Sequence, residues 1–148
     1  MMENNLNKMG ISAEDMVGMF SWEISSELPI GQIHEKVPAA CEEKKFALLQ
    51  TYVYHDIVAG KGFPIDRKVY IYEICQAKTA AGMLADFPRF ALFMPCRIAV
   101  YEKDGETVLA TMNMGAVLDA IRSDARLFNE ATDLFNTVKD MLKSLAGK

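Results

Sequence analysis

Cys75 and Cys96 are the residues whose chemistry asks for explanation first. Cys75 closes an alternating run, Val69 to Cys75, and directly precedes an Ala-rich segment. A thiol at a helix N-terminus is favoured as thiolate by the free N–H groups and the helix dipole. Arg97, beside Cys96, would pull the same way. Such a pair could be a redox couple, with Cys75 the more activated thiol and Cys96 its resolving partner. It could also carry persulfide or hold a soft metal. Two small buried hydrophobes are the plain alternative. The spacing is not that of a CxxC motif. If the two strands ran parallel, the end of one and the start of the other would lie at opposite edges. A loop from Pro88 to Pro95 running back along the sheet would then be needed to unite them.

Glu73 lies two residues before Cys75, hence on the same strand face. Its carboxylate could bind a ligand or accept a proton, yet it would raise a nearby thiol's pKa and oppose its activation. A solvent-facing or ion-paired Glu73 is the alternative. His34 and His55 are the only histidines. A metal site needs converging ligands, and no spacing here supplies a set, so no metal ligand is assigned. A heme site from a His, a Cys or one of the 10 methionines has no better support. Tyr52, Tyr54, Tyr70 and Tyr72 share strand parities in two neighbouring strands. They could line a ligand cleft or a dimer interface, or simply pack the sheet. There is no Gly-rich phosphate loop, zincin-type His pair or Gly-x-Ser-x-Gly elbow.

The elements that must position these residues follow from periodicity. Phe20 to Ser25 alternates as a half-buried strand. Pro29 opens a helix with Ile30, Ile33, Val37 and Cys41 at helical spacing. Pro38 should kink or split it, and Lys44-Lys45 suit its C-terminal end. Phe46 to Val58 is β-branched and aromatic and reads as one long strand. Gly60 to Pro64 breaks it, and Val69 to Cys75 is the next strand. Ala77 to Asp86 reads as a helix that ends before Pro88. Cys96 to Glu102 and Thr107 to Met112 are strands joined by an Asp104-Gly105 turn of type I′. A short helix is expected around Ala116 to Arg122. The last begins near Asp124, with Leu127, Ala131, Leu134, Val138, Met141 and Leu145 in one stripe, and Gly147 as its cap.

The chain has 148 residues, 51% apolar and 24% charged, as one globular domain would. Residues 1–18 are expected as an N-terminal extension, in part disordered, though Ser12 could cap one helical turn. Residues 19–148 are expected as a single α+β domain, a largely antiparallel sheet with helices packed on it. The net charge of −4 and pI near 5.2 do not give the basic footprint of nucleic-acid binding. No segment has the apolar length of a membrane span, and no secretory leader is read. Three cysteines without such a leader point to a reducing, cytoplasmic setting.

The stretch from Tyr72 to Ile121 carries a family likeness. Tyr72-Glu73-Ile74-Cys75, an Ala-rich helix, Phe90 to Met94, then Pro95-Cys96-Arg97-Ile98 and the Asp104-Gly105 hairpin resemble the domain of unknown function 302 family. The likeness spans roughly residues 20 to 146. The family usually has Cys-Asn-Pro where this chain has Cys75-Gln76-Ala77, so the turn into the helix is expected to differ. The resemblance implies an α+β fold of the TATA-binding-protein-like type, often dimeric, without implying DNA binding. It brings no agreed activity, cofactor or substrate.

The expectation is therefore a homodimeric binding module, without an assigned catalytic residue, for a small ligand or a partner protein. Glu73, Cys75, Pro95, Cys96, Arg97 and Tyr72 are its candidate site. The rival is a thiol-dependent redox or sulfur-handling protein using Cys75 and Cys96. A metal or heme binder is a third reading.

Overall fold

The structure is a computed structural model and describes residues 9–148. Helix α1 (Ala13–Gly18) is capped by the Ser12 side chain, which accepts from the Asp15 N–H. It leans on strand β1 (Ser21–Ser26), and Glu14 reaches Lys103 at 2.6 Å. The disorder expected further upstream lies outside the described residues.

Helix α2 (Ile30–Glu43) buries Ile30, Ile33, Val37 and Cys41 along one stripe. Pro38 neither splits it nor reaches the core, because it sits on the exposed side while Val37 and Cys41 anchor the turns around it. The helix ends in a Schellman turn, with Phe46 N–H donating to Cys41 C=O at 2.8 Å and Lys45 N–H to Glu42 C=O at 3.0 Å. Lys45 takes the left-handed position, φ 62°, that glycine normally fills.

Strand β2 is shorter than its composition suggests. It covers Ala47–Val53, and Tyr54–Gly60 forms helix α3 instead of continuing the strand. Strand propensity is overridden there by docking, for the Val69 N–H donates to His55 Nδ1 at 3.0 Å from the next strand. Strand β3 (Val69–Cys75) leads into helix α4 (Ala77–Asp86) and a 3₁₀ helix (Pro88–Phe93). A cis Met94–Pro95 bond follows. Strands β4 (Cys96–Lys103) and β5 (Glu106–Met112) are joined by the Asp104-Gly105 turn, where φ is 52° and 79° as a type I′ turn demands. Helices α5 (Gly115–Ala120) and α6 (Ala125–Leu145) complete the order. The Asp124 side chain caps α6 by accepting from Leu127 N–H at 3.0 Å, and Gly147 closes it at φ 78°.

The five strands form one antiparallel sheet in the order β1-β5-β4-β3-β2. One face meets α2 and α6. Tyr70, Tyr72 and Ile74 of β3, Ile98 and Val100 of β4 and Leu109 of β5 pack there against Ile33, Val37, Val138, Met141 and Leu142. Each fully buried aliphatic side chain in this set contributes about 1.5–3 kcal/mol of transfer free energy. Met83, Phe90, Leu127 and Ala131 form a separate, smaller core at one end of the sheet. An ion pair of Arg126 with Asp86 pins α6 to α4 beside it.

Candidate functional site

Strands β3 and β4 are antiparallel neighbours, with Glu73 opposite Arg97 and Ile74 opposite Cys96. The sheet is antiparallel here, as expected for most of it, so the parallel case that would have parted the cysteines does not arise. The end of β3 and the start of β4 lie at the same end of the sheet. Residues 76–95 leave that end, form α4 and the 3₁₀ helix, and return at Pro95-Cys96. Five of the candidate residues, Glu73, Cys75, Pro95, Cys96 and Arg97, are thus brought together by strand register and this excursion. Cys96 faces the α2/α6 side with its partner Ile74, while Cys75 belongs to the alternate side of the pleat. A disulfide needs Cβ atoms about 3.5–4.5 Å apart, so bridging these two would require the strand end to move. All three cysteines are free.

The excursion encloses space. A cavity of about 160 Å³ lies between the 3₁₀ helix, α6 and the first residues of β4. Phe90, Phe93, Met94, Leu134, Phe135 and Val138 are among its walls, with Cys96 and Arg97 at the strand. A second, about 300 Å³, lies between α4 and the end of β3, bordered by Cys75, Gln76 and Cys96. Met94, Pro95, Cys96 and Leu134 line both. Leu49, Leu84, Leu92, Phe93 and Met112, all lining one or the other, are large apolar residues left exposed. Exposed apolar side chains gathered around a concave site mark a binding surface more than singly scattered ones do.

Burial acts on the Cys96 and Cys41 thiols. Burial pushes the Cys96 thiol up, and the neighbouring Cys75 charge adds to this. Cys96 is therefore held as the thiol at neutral pH. The expected help from Arg97 goes elsewhere, because its Nε lies 3.9 Å from Glu73 Oε2 on the other side of the sheet. Cys41 sits in the main core, 1% exposed, and burial raises its thiol as well. The Glu73 side chain, 14% exposed, accepts a hydrogen bond from the Tyr52 hydroxyl at 2.5 Å. That bond is the first cause of the raised Tyr52 pKa, ahead of desolvation and the Glu73 charge. Glu73 is thus an ion-paired, hydrogen-bonded carboxylate rather than an open base.

Tyr72 does not join the site. It faces the main core at 1% exposure, and its hydroxyl meets His34 Nδ1 at 2.6 Å. Burial drives its pKa far above the ordinary phenol range, with the Tyr70 and Cys41 charges as lesser causes. The four tyrosines form no single cleft. Tyr52 turns to Glu73, Tyr54 belongs to α3, and Tyr70 and Tyr72 lie on the core face.

A cluster that sequence reading missed is the one around Tyr70. His34 stacks on its ring at 4.0 Å, and His55 meets it edge-on at 5.3 Å. Both histidines of the chain converge on one tyrosine from helices far apart in sequence. Only the β-register of Tyr70 and Tyr72 hinted at it. Among the described residues, no group of three or more His, Cys, Asp or Glu side chains is placed to hold a metal ion. No helix among them is long and apolar enough to cross a membrane.

A five-stranded antiparallel sheet with α2 and α6 on one face and a helical excursion between its central strands defines an α+β protein. The family described as Domain of unknown function DUF302 matches residues 22–145, and the chain belongs to that family. The crystal structure of an uncharacterised conserved DUF302 protein from Bacillus stearothermophilus has a similar fold. Its TM-score is 0.74 at 21% identity, over 86% of this chain and 98% of that one. No curated protein matches this chain.

Proposed function

We propose that this protein binds a small, largely apolar molecule in the groove centred on Met94, Pro95 and Cys96, and does so without catalysis. The observation that carries the reading is the pair of adjoining cavities, about 160 and 300 Å³, ringed by exposed Leu49, Leu84, Leu92, Phe93 and Met112. Methionine side chains in the walls conform to irregular ligands. A neutral fluorescent probe, N-phenyl-1-naphthylamine, should bind saturably and brighten. Ala131, at the cavity wall and 6% exposed, is the residue to enlarge. Ala131→Leu should fill the space and remove the probe signal while the thermal midpoint holds or rises. Undiminished probe binding in that variant would place the ligand elsewhere.

The same proposal includes a homodimer in a reducing, cytoplasmic setting. The sheet face away from α2 and α6 supports the dimer, since Ile71 and Ala99 remain partly exposed there beside Glu73 and Arg97. Light scattering should give twice the chain mass, and Ala99→Arg should halve it. A monomeric wild type would remove this part. A partner protein in the groove is the competing occupant, which the small probe would not mimic.

A second reading rests on the position of Cys75 and Cys96 beside one cavity. Cys75 could attack a disulfide-containing ligand, forming a mixed disulfide as the ligand's S–S bond breaks and its other sulfur leaves as thiolate. Mass analysis after exposure to such a ligand should then show an adduct on Cys75 alone. Unmodified protein would dismiss the idea.

A further inference from the structure

We infer that the molecule held in the groove is an uncharged amphiphile with a hydroxyl head, an alkanol or alkylphenol, whose O–H donates to Thr111 Oγ1. This rests on the groove being an apolar-ligand site and names what that ligand is. Charge is excluded first. No Asp, Glu or Lys lines either cavity, and Arg97 is the single charged residue at the smaller one. Its side chain belongs to the opposite face of the sheet, where it meets Glu73 at 3.9 Å. What Arg97 brings to the cavity is therefore main chain. A carboxylate or ammonium buried there would lose its water and gain no counter-charge, which costs far more than a hydrogen bond returns.

Thr111 supplies the polar contact. It stands opposite Ile98 in the β4–β5 register, and Ile98 is fully buried in the core against α2 and α6. Paired residues share a face, so the Thr111 side chain also turns to the α6 side, where it lines the smaller cavity. Its hydroxyl proton is committed, because Oγ1 donates to the Arg97 carbonyl at 2.9 Å. The oxygen keeps a lone pair to accept with. The contact is thus open to a donor and closed to an ether, an ester or a carboxylate. The Cys96 thiol, at the border of both cavities, is only a weak donor. Size sets the tail. Apolar cavities near 150 Å³ accommodate one benzene, so about 160 Å³ suits a six-carbon ring or a short chain. A longer tail runs along Met94 and Pro95 to the second cavity, which shares those residues.

Displacement of N-phenyl-1-naphthylamine by 1-octanol, octanoate and octyl methyl ether reads charge and hydrogen bonding separately. At neutral pH 1-octanol should displace the probe at a concentration roughly tenfold or more below that of octanoate. The ratio of ether to alcohol midpoints should fall about fivefold in Thr111→Val, the scale of one hydrogen bond, and persist in Thr111→Ser. Comparing ratios between variants removes the difference in apolar surface between alcohol and ether. Octanoate as effective as 1-octanol, or an ether-to-alcohol ratio unchanged in Thr111→Val, overturns the hydroxyl assignment while probe binding stands. Failure of the probe to bind at all overturns the groove reading and this assignment with it.

Discussion

Removing either partner of the buried Tyr72–His34 pair should cost very different amounts. Tyr72→Phe deletes the hydroxyl and leaves His34 Nδ1 in a half-buried position that water can reach. The loss is one ordinary hydrogen bond, about 1 kcal/mol. His34→Ala leaves the Tyr72 hydroxyl in place at 1% exposure, a stranded donor worth about 1–3 kcal/mol. It also removes the ring stacked 4.0 Å from Tyr70, worth about 0.5–1.5 kcal/mol. His34→Ala should therefore cost about 2–4 kcal/mol. The double variant should recover part of that, because the stranded hydroxyl disappears, giving a coupling of about 1 kcal/mol. Urea unfolding at neutral pH measures all four proteins, with the midpoint shifting at constant slope. A Tyr72→Phe loss as large as that of His34→Ala would refute the asymmetry. A coupling below about 0.3 kcal/mol would show that the 2.6 Å contact carries no net stability.

Three further outcomes follow from the same geometry. The raised pKa of buried Tyr72 means the folded state resists a proton loss that the unfolded chain undergoes near pH 10. Its stabilising effect is full below that pH and declines as pH rises above it, so alkaline unfolding should begin near there and be shallower in Tyr72→Phe. Lys45→Gly should raise stability by about 0.5–1 kcal/mol in a thermal melt, since φ 62° strains any side chain; a loss would mean that the lysine side chain contributes more than its backbone costs. Iodoacetamide should label Cys75, partly exposed at a strand end, far faster than Cys41, 1% exposed in the main core; peptide mapping with equal rates would contradict the burial.

Where local chemistry decided the structure, the sequence was readable. The alternation of Val69 to Cys75, the Asp104-Gly105 turn and the Asp124 cap each obey rules that hold within a few residues. The α3 helix did not, because Tyr54 to Val58 has strand-forming residues and is turned by its contact with β3. Five of the candidate residues lie together because they flank one excursion between two strands. Tyr72 was placed among them by sequence proximity, although pleat alternation sends it to the opposite side from Glu73. The cavities and the histidine pair around Tyr70 depend on packing between elements tens of residues apart, for which no local pattern exists.

The place of β1 in the sheet has a consequence for how the chain is made. β1 pairs with β5, its register running from Ser21↔Met112 to Ser26↔Thr107. The Ser26 hydroxyl then donates to the Ala146 carbonyl at 2.8 Å, beyond the end of α6. On a ribosome, β1 emerges early but must wait unpaired through the synthesis of every other strand, and its anchor arrives last of all. The hairpins β2–β3 and β4–β5 can form meanwhile. At translation rates of about 5–20 residues per second, the roughly ninety-residue wait implied by that register lasts about 5 to 18 seconds. An alternating apolar strand held bare for that long is the segment of the nascent chain that a chaperone would meet first.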